Sequence, residues 1–364
     1  NIAVNSVNIP HGTYYIDGDQ KKIFEVGKYY YVAVGVKDVY GHVKMSNTLK
    51  IKVQDFNQFY AYSDNLVGGF NIQAKDMDGD NLPEIITGTE DGLAPQLSIF
   101  SSEGTLLGRC LAYAPYLRSG VRVAIGDLDG DGSAEIITGA GKSGAPHIQI
   151  FNKKCERISP GFFALDGKFK GGIYLATGDI TGDGKDEIIV TAGKGGGSHV
   201  MAYDKVGNVK LNFFAYDADT FRNGIKAATV DIDGDGQDEL VTGPEFGAPH
   251  IQVFQIRNNT AHRLNPGFNA FSSAFRGGVS VTGADVNGDG IDEIIATVGH
   301  DDKSIVRVFD EDGNLLRSDF HSYSEGFKGG LNVTSADMNN DGKSEIITVP
   351  SNGGNPNVRS FNLF

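Results

Sequence analysis

Residues 127–139 read DLDGDGSAEIITG. Asp127, Asp129 and Asp131 alternate with Leu128 and Gly130, and Gly132 precedes a closing Glu135. Side-chain oxygens at loop positions 1, 3 and 5 converge when the backbone curls around an ion. Glycines at positions 4 and 6 permit that curl, because such positions need φ > 0. Glu at position 9 can offer both of its oxygens. The Ile-Ile-Thr run that follows is strand-forming. The loop therefore joins two strands. An EF-hand instead closes on a Glu at position 12 and is flanked by helices.

The same grammar recurs six times. Asp76, Asp78, Asp80 and Glu84 form the first set, and the residues of 127–135 the second. Asp179, Thr181, Asp183 and Glu187 come third, then Asp231, Asp233, Asp235 and Glu239. Asp285, Asn287, Asp289 and Glu293 are fifth, and Asp337, Asn339, Asp341 and Glu345 sixth. The first aspartates lie 51, 52, 52, 54 and 52 residues apart, and a fixed period of this size marks a repeat architecture. Position 7 varies freely, as Leu82, Ser133, Lys185, Gln237, Ile291 and Lys343, which fits a ligand supplied by a backbone carbonyl. Asn81 and Asn340 stand where glycine is missing at positions 6 and 4, and Asn tolerates the left-handed region better than most residues.

Each repeat reads as four short strands. A first strand such as Val121 to Ala124 enters the acidic loop, and a second follows its Glu. A third such as His147 to Phe151 or His250 to Phe254 lies beyond a Gly-rich loop. A fourth runs as Phe162 to Leu165 or Phe213 to Tyr216. Four antiparallel strands repeated radially make a propeller blade. The last repeat ends on a third strand near Asn357 to Phe361, and its missing fourth element appears before the first loop, at Phe59-Tyr-Ala-Tyr62. The expected fold is all-β: a six-bladed propeller over 56–364, closed by an N-terminal strand that completes the last blade and removes two open sheet edges.

Oxygen-only, carboxylate-rich loops suit calcium better than zinc, and magnesium would rather keep its waters. One Ca2+ per blade, about six ions, would bring the net charge of −14 to about −2. Of the 46 acidic residues, 21 occupy ligand positions, and without metal they repel one another. The weakest loops should be those of Asp179, Asp285 and Asp337, where Thr181, Asn287 and Asn339 replace a carboxylate.

The D-x-D-G-D-G-x-x-E-I-I-T-G block, with the following G-x-P-H-I-Q-V-F segment, resembles the FG-GAP/VCBS repeat family over roughly residues 57–364. The integrin α-subunit propeller belongs to the same broad class. The resemblance implies extracellular propellers with calcium in the loop between strands one and two. It also implies adhesion, lectin-like binding or a support role beside a catalytic domain. Residues 1–55 carry no such loop. Lys22 to Val26, Tyr29 to Val36 and Thr48 to Val53 alternate as strands. Tyr30-Tyr-Val-Ala-Val34, Asp38-Val-Tyr-Gly41 and Ser46-Asn-Thr48 resemble the last strands of a fibronectin type III module, of which 1–55 would be about half.

The calcium loops occupy one face of such a propeller. The opposite face collects the two-to-three loops, with Gly144-Ala-Pro-His147, Gly197-Ser-His199 and Gly247-Ala-Pro-His250. It also collects an F-[KR]-G-G element at Phe169, Phe275 and Phe327, with Phe221-Arg222 as a variant. These residues form a ligand rim, or else the phenylalanines wedge between blades and the histidines, which start strand three, bond loop carbonyls. Catalysis has little support: G-x-S-x-G, H-E-x-x-H and P-loop patterns are absent, and the paired carboxylates are better explained as metal ligands. The expected function is a non-catalytic binding or adhesion module for a carbohydrate or an extracellular protein. The alternatives are an accessory domain of a larger secreted enzyme and a structural subunit of a surface assembly.

Composition agrees. Fifty glycines in 364 residues favour tight turns over long helices. The acidic balance argues against nucleic acid, and no apolar run of about twenty residues predicts a membrane span. The chain opens on Asn1, the mark of a processed or cut fragment. Cys110 and Cys155 fall in neighbouring blades; two free thiols are the default reading and a bridge between them is the alternative. Asn258-Asn-Thr260 and Asn332-Val-Thr334 match the glycosylation sequon.

Overall fold

The computed structural model describes residues 56–300, 303–324 and 326–363, together with the strands Thr13–Ile16, Gln20–Ile23, Tyr29–Val32, Gly35–Lys37, Val43–Met45 and Leu49–Lys52. Those early strands pair antiparallel in three two-stranded ladders: the first with the second, the third with the sixth, and the fourth with the fifth. Val26 and Val53, at the ends of two expected strands, lie outside the described residues.

Six antiparallel sheets follow. Blade 1 is Phe70–Lys75, Glu84–Thr89, Gln96–Phe100 and Leu106–Leu111, and blade 2 is Val121–Gly126, Glu135–Ala140, His147–Phe151 and Phe162–Phe163. The innermost strands of blades 3 to 6 are Ile173–Gly178, Ile225–Val230, Val279–Ala284 and Leu331–Ala336. Blade 4 gains an extra outer segment, because Thr260–Arg263 and Phe268–Asn269 both pair with His250–Arg257. In the last blade, Asn357–Phe361 pairs with Phe56–Tyr60, so the N-terminal strand closes the ring as the strand count requires. That strand sits earlier than the expected Phe59 to Tyr62.

The shift has one physical cause throughout. A small residue and a large one follow each outer strand, Ala-Tyr in three blades and Ala164-Leu165, Ala270-Phe271 and Ser322-Tyr323 in the others, and the pair leaves the ladder and turns inward. Ala61, Ala112, Ala164, Ala215 and Ala270 are buried. The tyrosines bridge to the following blade. The Tyr113 hydroxyl lies 3.1 Å from Thr138 O and 2.6 Å from His147 O, and the Tyr216 hydroxyl 3.1 Å from Thr242 O and 2.8 Å from His250 O. Tyr62 reaches Thr87 O and Gln96 O in the same way, and Tyr323 reaches Thr348 O and Asn357 O. Outer strands therefore end sooner than periodicity suggests, at Phe163 and Phe214 rather than Leu165 and Tyr216.

The core lies between blades. One cluster joins Ile86, Leu97 and Ile99 of blade 1 to Val121, Val123 and Ile136 of blade 2, and another joins Phe70 and Ile72 to Ile347, Val349 and Val358 across the closure. Second strands are covered on both faces, which is why they read as unbroken apolar runs rather than alternations. First strands are tied around the axis by hydroxyls. Thr177 Oγ1 donates to Ile125 O (2.6 Å), Thr229 Oγ1 to Thr177 O (2.7 Å) and Ser335 Oγ to Gly283 O (2.8 Å).

The F-[KR]-G-G element explains how the first strand enters. Its second glycine is left-handed at Gly172, Gly278 and Gly330, and a Cβ on Gly278 would stand 2.0 Å from Glu245 O of the preceding blade. Gly278→Ala combines that clash with an unfavourable φ of 71°, and we expect it to cost about 2–3 kcal/mol, read as a lower urea midpoint at unchanged m-value.

Candidate metal loops and axial cavity

The six loops share one hydrogen-bond pattern. The first Asp turns its carboxylate back onto loop amides: Asp127 Oδ1 accepts from Gly130 N (2.8 Å) and Oδ2 from Gly132 N (2.8 Å), and Asp179, Asp285 and Asp76 do the same. Position 5 accepts from the N–H of position 7 in every loop, at 2.8–3.1 Å. Positions 4 and 6 are left-handed in all six, and Asn81 (φ 66°) and Asn340 (φ 56°) take the glycine conformation where Gly is missing. At Asp76 and Asp127 burial pushes the pKa up, but the loop amides outweigh it and hold both carboxyls below their ordinary value.

The closing Glu opens the buried second strand. Glu187, Glu239, Glu293 and Glu345 are at most 5% exposed. One oxygen of Glu84, Glu135, Glu239, Glu293 and Glu345 accepts the N–H of loop position 2. Glu187 differs: Ile180 N donates to Gly178 O instead, and Glu187 Oε2 is buried without a partner.

Carboxylate oxygens of positions 1, 3 and 9 come within 4.8 Å of one another in three loops: Asp76, Asp78 and Glu84; Asp127, Asp129 and Glu135; Asp231, Asp233 and Glu239. These are the three loops with Asp at position 3. In the others, the neutral residue there donates to the Glu instead, from Thr181 Oγ1 (3.1 Å), Asn287 Nδ2 (2.5 Å) and Asn339 Nδ2 (2.8 Å). Cationic side chains of the following blade enter two of the acidic loops. Lys205 Nζ lies 2.5 Å from Asp129 Oδ2 and 2.8 Å from Glu135 Oε1, and Lys153 pairs with Asp78. An ammonium on these oxygens and an orphaned buried oxygen at Glu187 both fit a loop built to hold a cation. The acidic groups could hold a metal ion, and the donors are oxygens alone.

Without a cation the loops carry electrostatic strain. Burial first, and neighbouring aspartates after it, push Glu239 and Glu293 up to about 7, and burial likewise lifts Glu187 and Glu345 to about 7. A carboxyl whose folded pKa exceeds its unfolded value binds more protons when folded, so stability falls as pH rises between the two values. The metal-free protein should therefore melt higher at pH 5.5 than at pH 7.5, measured by circular dichroism in chelator. A flat or opposite trend would contradict the burial of these four side chains.

The other face holds its aromatic residues by packing. Phe221 stacks on Tyr216 at 4.8 Å, Phe327 lies 5.4 Å from Tyr323, and Phe275 lies 6.1 Å from Phe271. His147 and His199 sit 4.8 Å from Phe163 and Phe214 of their own blades. Among the described residues no metal-competent group contains a histidine. Asn332 of the second sequon turns into the channel, where its Nδ2 donates to Phe70 O and its Oδ1 accepts from Lys226.

A cavity of about 500 Å³ opens at the axis on the metal-loop face. It is lined by Lys75, Thr177, Thr229, Asp238, Asp292 and Ser335 among others. A second, smaller cavity of about 60 Å³ lies deeper in the channel. There a ring of second-position residues, Asn71, Arg122, Tyr174, Lys226, Ser280 and Asn332, faces the axis. Arg122 pairs with Glu90 and lies 4.7 Å from the Tyr174 ring centroid. Lys226 lies 5.4 Å from the same centroid. This cavity lies on the opposite side from the rim expected from the sequence.

Cys110 on the outer strand of blade 1 is bonded to Cys155 in the three-to-four turn of blade 2, so of the two readings the bridge is the one found.

Residues 285–348, from the first aspartate of loop 5 to the second strand of blade 6, match the family model of the FG-GAP-like repeat. The chain is thus a six-bladed β-propeller carrying an FG-GAP-like repeat. No curated protein sequence matches it. Among solved structures, AofleA from Arthrobotrys oligospora is 8% identical, covers 86% of this chain and 91% of its own, and superposes with a TM-score of 0.55, a likeness of fold. Rhamnogalacturonan lyase YesW is 15% identical, with 94% of this chain and 82% of its own covered and a TM-score of 0.41.

Proposed function

We propose that the chain is an extracellular, calcium-loaded, non-catalytic propeller that binds a carbohydrate or protein ligand. The observation that carries the reading is the axial cavity: all six blades contribute to one polar mouth on the metal-loop face, large enough for a small polyhydroxyl ligand. Calcium would be held by the carboxylates at positions 1, 3, 5 and 9, with position 7 supplying its carbonyl. Calcium of this kind neutralises the acidic mouth and fixes the loops around it. The disulfide supports an oxidising compartment, where calcium is also abundant. Among the described residues, no helix is long and apolar enough to cross a membrane.

The test is a glycan-array screen of the whole chain in millimolar calcium, repeated after chelation, with the fold followed by circular dichroism. Selective binding lost on chelation, and lost in Thr229→Tyr, which fills the cavity, supports the reading. Silence across the array with the fold intact overturns the carbohydrate half and leaves a protein ligand.

A further inference from the structure

Position 8 of the metal loops, just before the closing Glu, reads Pro83, Ala134, Asp186, Asp238, Asp292 and Ser344. Three consecutive blades carry Asp there, and each bridges to the loop before it. Asp186 N donates to Asp127 O (2.8 Å), and Asp127 N donates to Asp186 Oδ2 (2.9 Å). Asp238 N donates to Asp179 O (2.9 Å), and the Asp238 carboxylate lies against the backbone at Gly178, beside the Asp179 amide. Asp292 N donates to Asp231 O (3.0 Å), and Asp231 N donates to Asp292 Oδ2 (3.2 Å). Elsewhere the bridge is thinner. Ser344 gives only its N–H, to Asp285 O, and Ala134 N donates to Met77 O. Pro83, at the seam between the last blade and the first, has no N–H to give.

We infer that Asp186, Asp238 and Asp292 relay metal occupancy between neighbouring loops, so that the loops of blades 2 to 5 fill with calcium as one cooperative unit; this rests on the calcium reading above. The residue held by each bridge is the first ligand of one loop, and the residue holding it is the immediate neighbour of the last ligand of the next. A metal that draws Glu239 into place sets Asp238, whose N–H holds the C=O of Asp179 and whose carboxylate lies against the backbone just before it. Two ligand sets thereby share one rigid backbone connection, which is the physical basis of a coupling free energy. The charges facing this row are Lys75, whose Nζ lies 2.5 Å from Asp186 Oδ2, and the three aspartates themselves. Lys75 reaches across the channel mouth from blade 1, so it braces the row without joining two loops. The seam at Pro83 makes the relay a line with two ends rather than a closed ring.

Hydrogen exchange followed on peptides covering each loop, during a calcium titration of the full chain, tests the relay. In the wild type, loops 2 to 5 should gain protection at one shared midpoint. Their position-3 residues Asp129, Thr181, Asp233 and Asn287 would otherwise spread them. Asp238→Ala should split loops 2 and 3 from loops 4 and 5 by about fivefold or more in calcium. Asp238→Asn, which keeps an acceptor oxygen, should restore the shared midpoint. Should Asp238→Ala not fold, Asp292→Ala should detach loop 5 alone. A variant that merely loosens the fold lowers protection in all loops at every calcium concentration, whereas the relay separates midpoints. Unseparated midpoints in both alanine variants, or scattered midpoints in the wild type, overturn the relay while leaving calcium binding standing. No calcium response in any loop of the folded wild type overturns the calcium reading, and the relay with it.

Discussion

Chelation should lower the melting temperature of this protein by on the order of 15 °C. The three loops with a carboxylate at position 3 bring their acidic oxygens within 4.8 Å of one another. A ligand at about a hundredfold over its dissociation constant stabilises by about 2.7 kcal/mol per site, and a domain of this size shifts by roughly 2 °C per kcal/mol. Those three loops alone reach the stated shift, and loops 3, 5 and 6 add less, because Thr181, Asn287 and Asn339 bring no charge. Asp129→Ala should remove one site's share, about 2–3 kcal/mol, in calcium and far less in chelator. Lys205 sharpens the comparison. Its ammonium already sits on Asp129 and Glu135, so calcium must displace it, and Lys205→Ala should raise the calcium affinity of loop 2, and of the loops coupled to it, while leaving loops 1 and 6 unchanged. The measurement is a thermal melt in millimolar calcium against the same protein stripped and verified metal-free. An unchanged midpoint would sink the idea that the loops are rivets.

Much of this arrangement was legible in the residues. The loop spacing fixes where backbone must turn left-handed, and Asn81 and Asn340 take that conformation as their positions demanded. The closing strand was legible by counting, since the last repeat lacks one strand and Phe59 lies where a spare one is found. The strand ends were less so. Ala61-Tyr62 and its counterparts look like more strand, and only the carbonyls of the next blade, distant in sequence, explain why they leave it. Those tyrosines do recur, at Tyr62, Tyr113, Tyr216 and Tyr323, and that period was the available signal. The axial ring shows the limit more plainly. Asn71, Arg122, Tyr174, Lys226, Ser280 and Asn332 each stand five residues before a first aspartate, yet no one chemistry runs through all six. A position that holds Asn, Arg, Tyr, Lys and Ser across six repeats reads as an unconstrained one, although here variation is what lets cations, a ring and amides close one channel together. Position 8 hides for a related reason. Asp186, Asp238 and Asp292 sit beside stronger ligand candidates, and their bonds run to a neighbouring loop rather than to their own.

Breaking the Cys110–Cys155 bridge should cost about 4 kcal/mol, the second largest effect we expect. The cysteines are 45 residues apart, and closing a loop of that length in the unfolded chain accounts for about 4 kcal/mol on the chain-entropy model. The native side supports a value near that figure. Both side chains pack against the cluster that joins blades 1 and 2, so the bridge lies on a surface already buried and adds little ordering of its own. It also pins the turn that carries Lys153, whose ammonium rests on Asp78 of the first metal loop. Reduction should therefore act twice: globally, through the unfolded chain, and locally, by freeing a cation that competes with calcium at loop 1. Cys110→Ser with Cys155→Ser, followed by urea unfolding, reads the first effect as a lower midpoint. The second is read by calcium titration, where loop 1 alone should bind more tightly. A double serine variant of unchanged stability would mean that the blade interface holds these strands without the bond, and that the bridge records the compartment rather than supporting the fold.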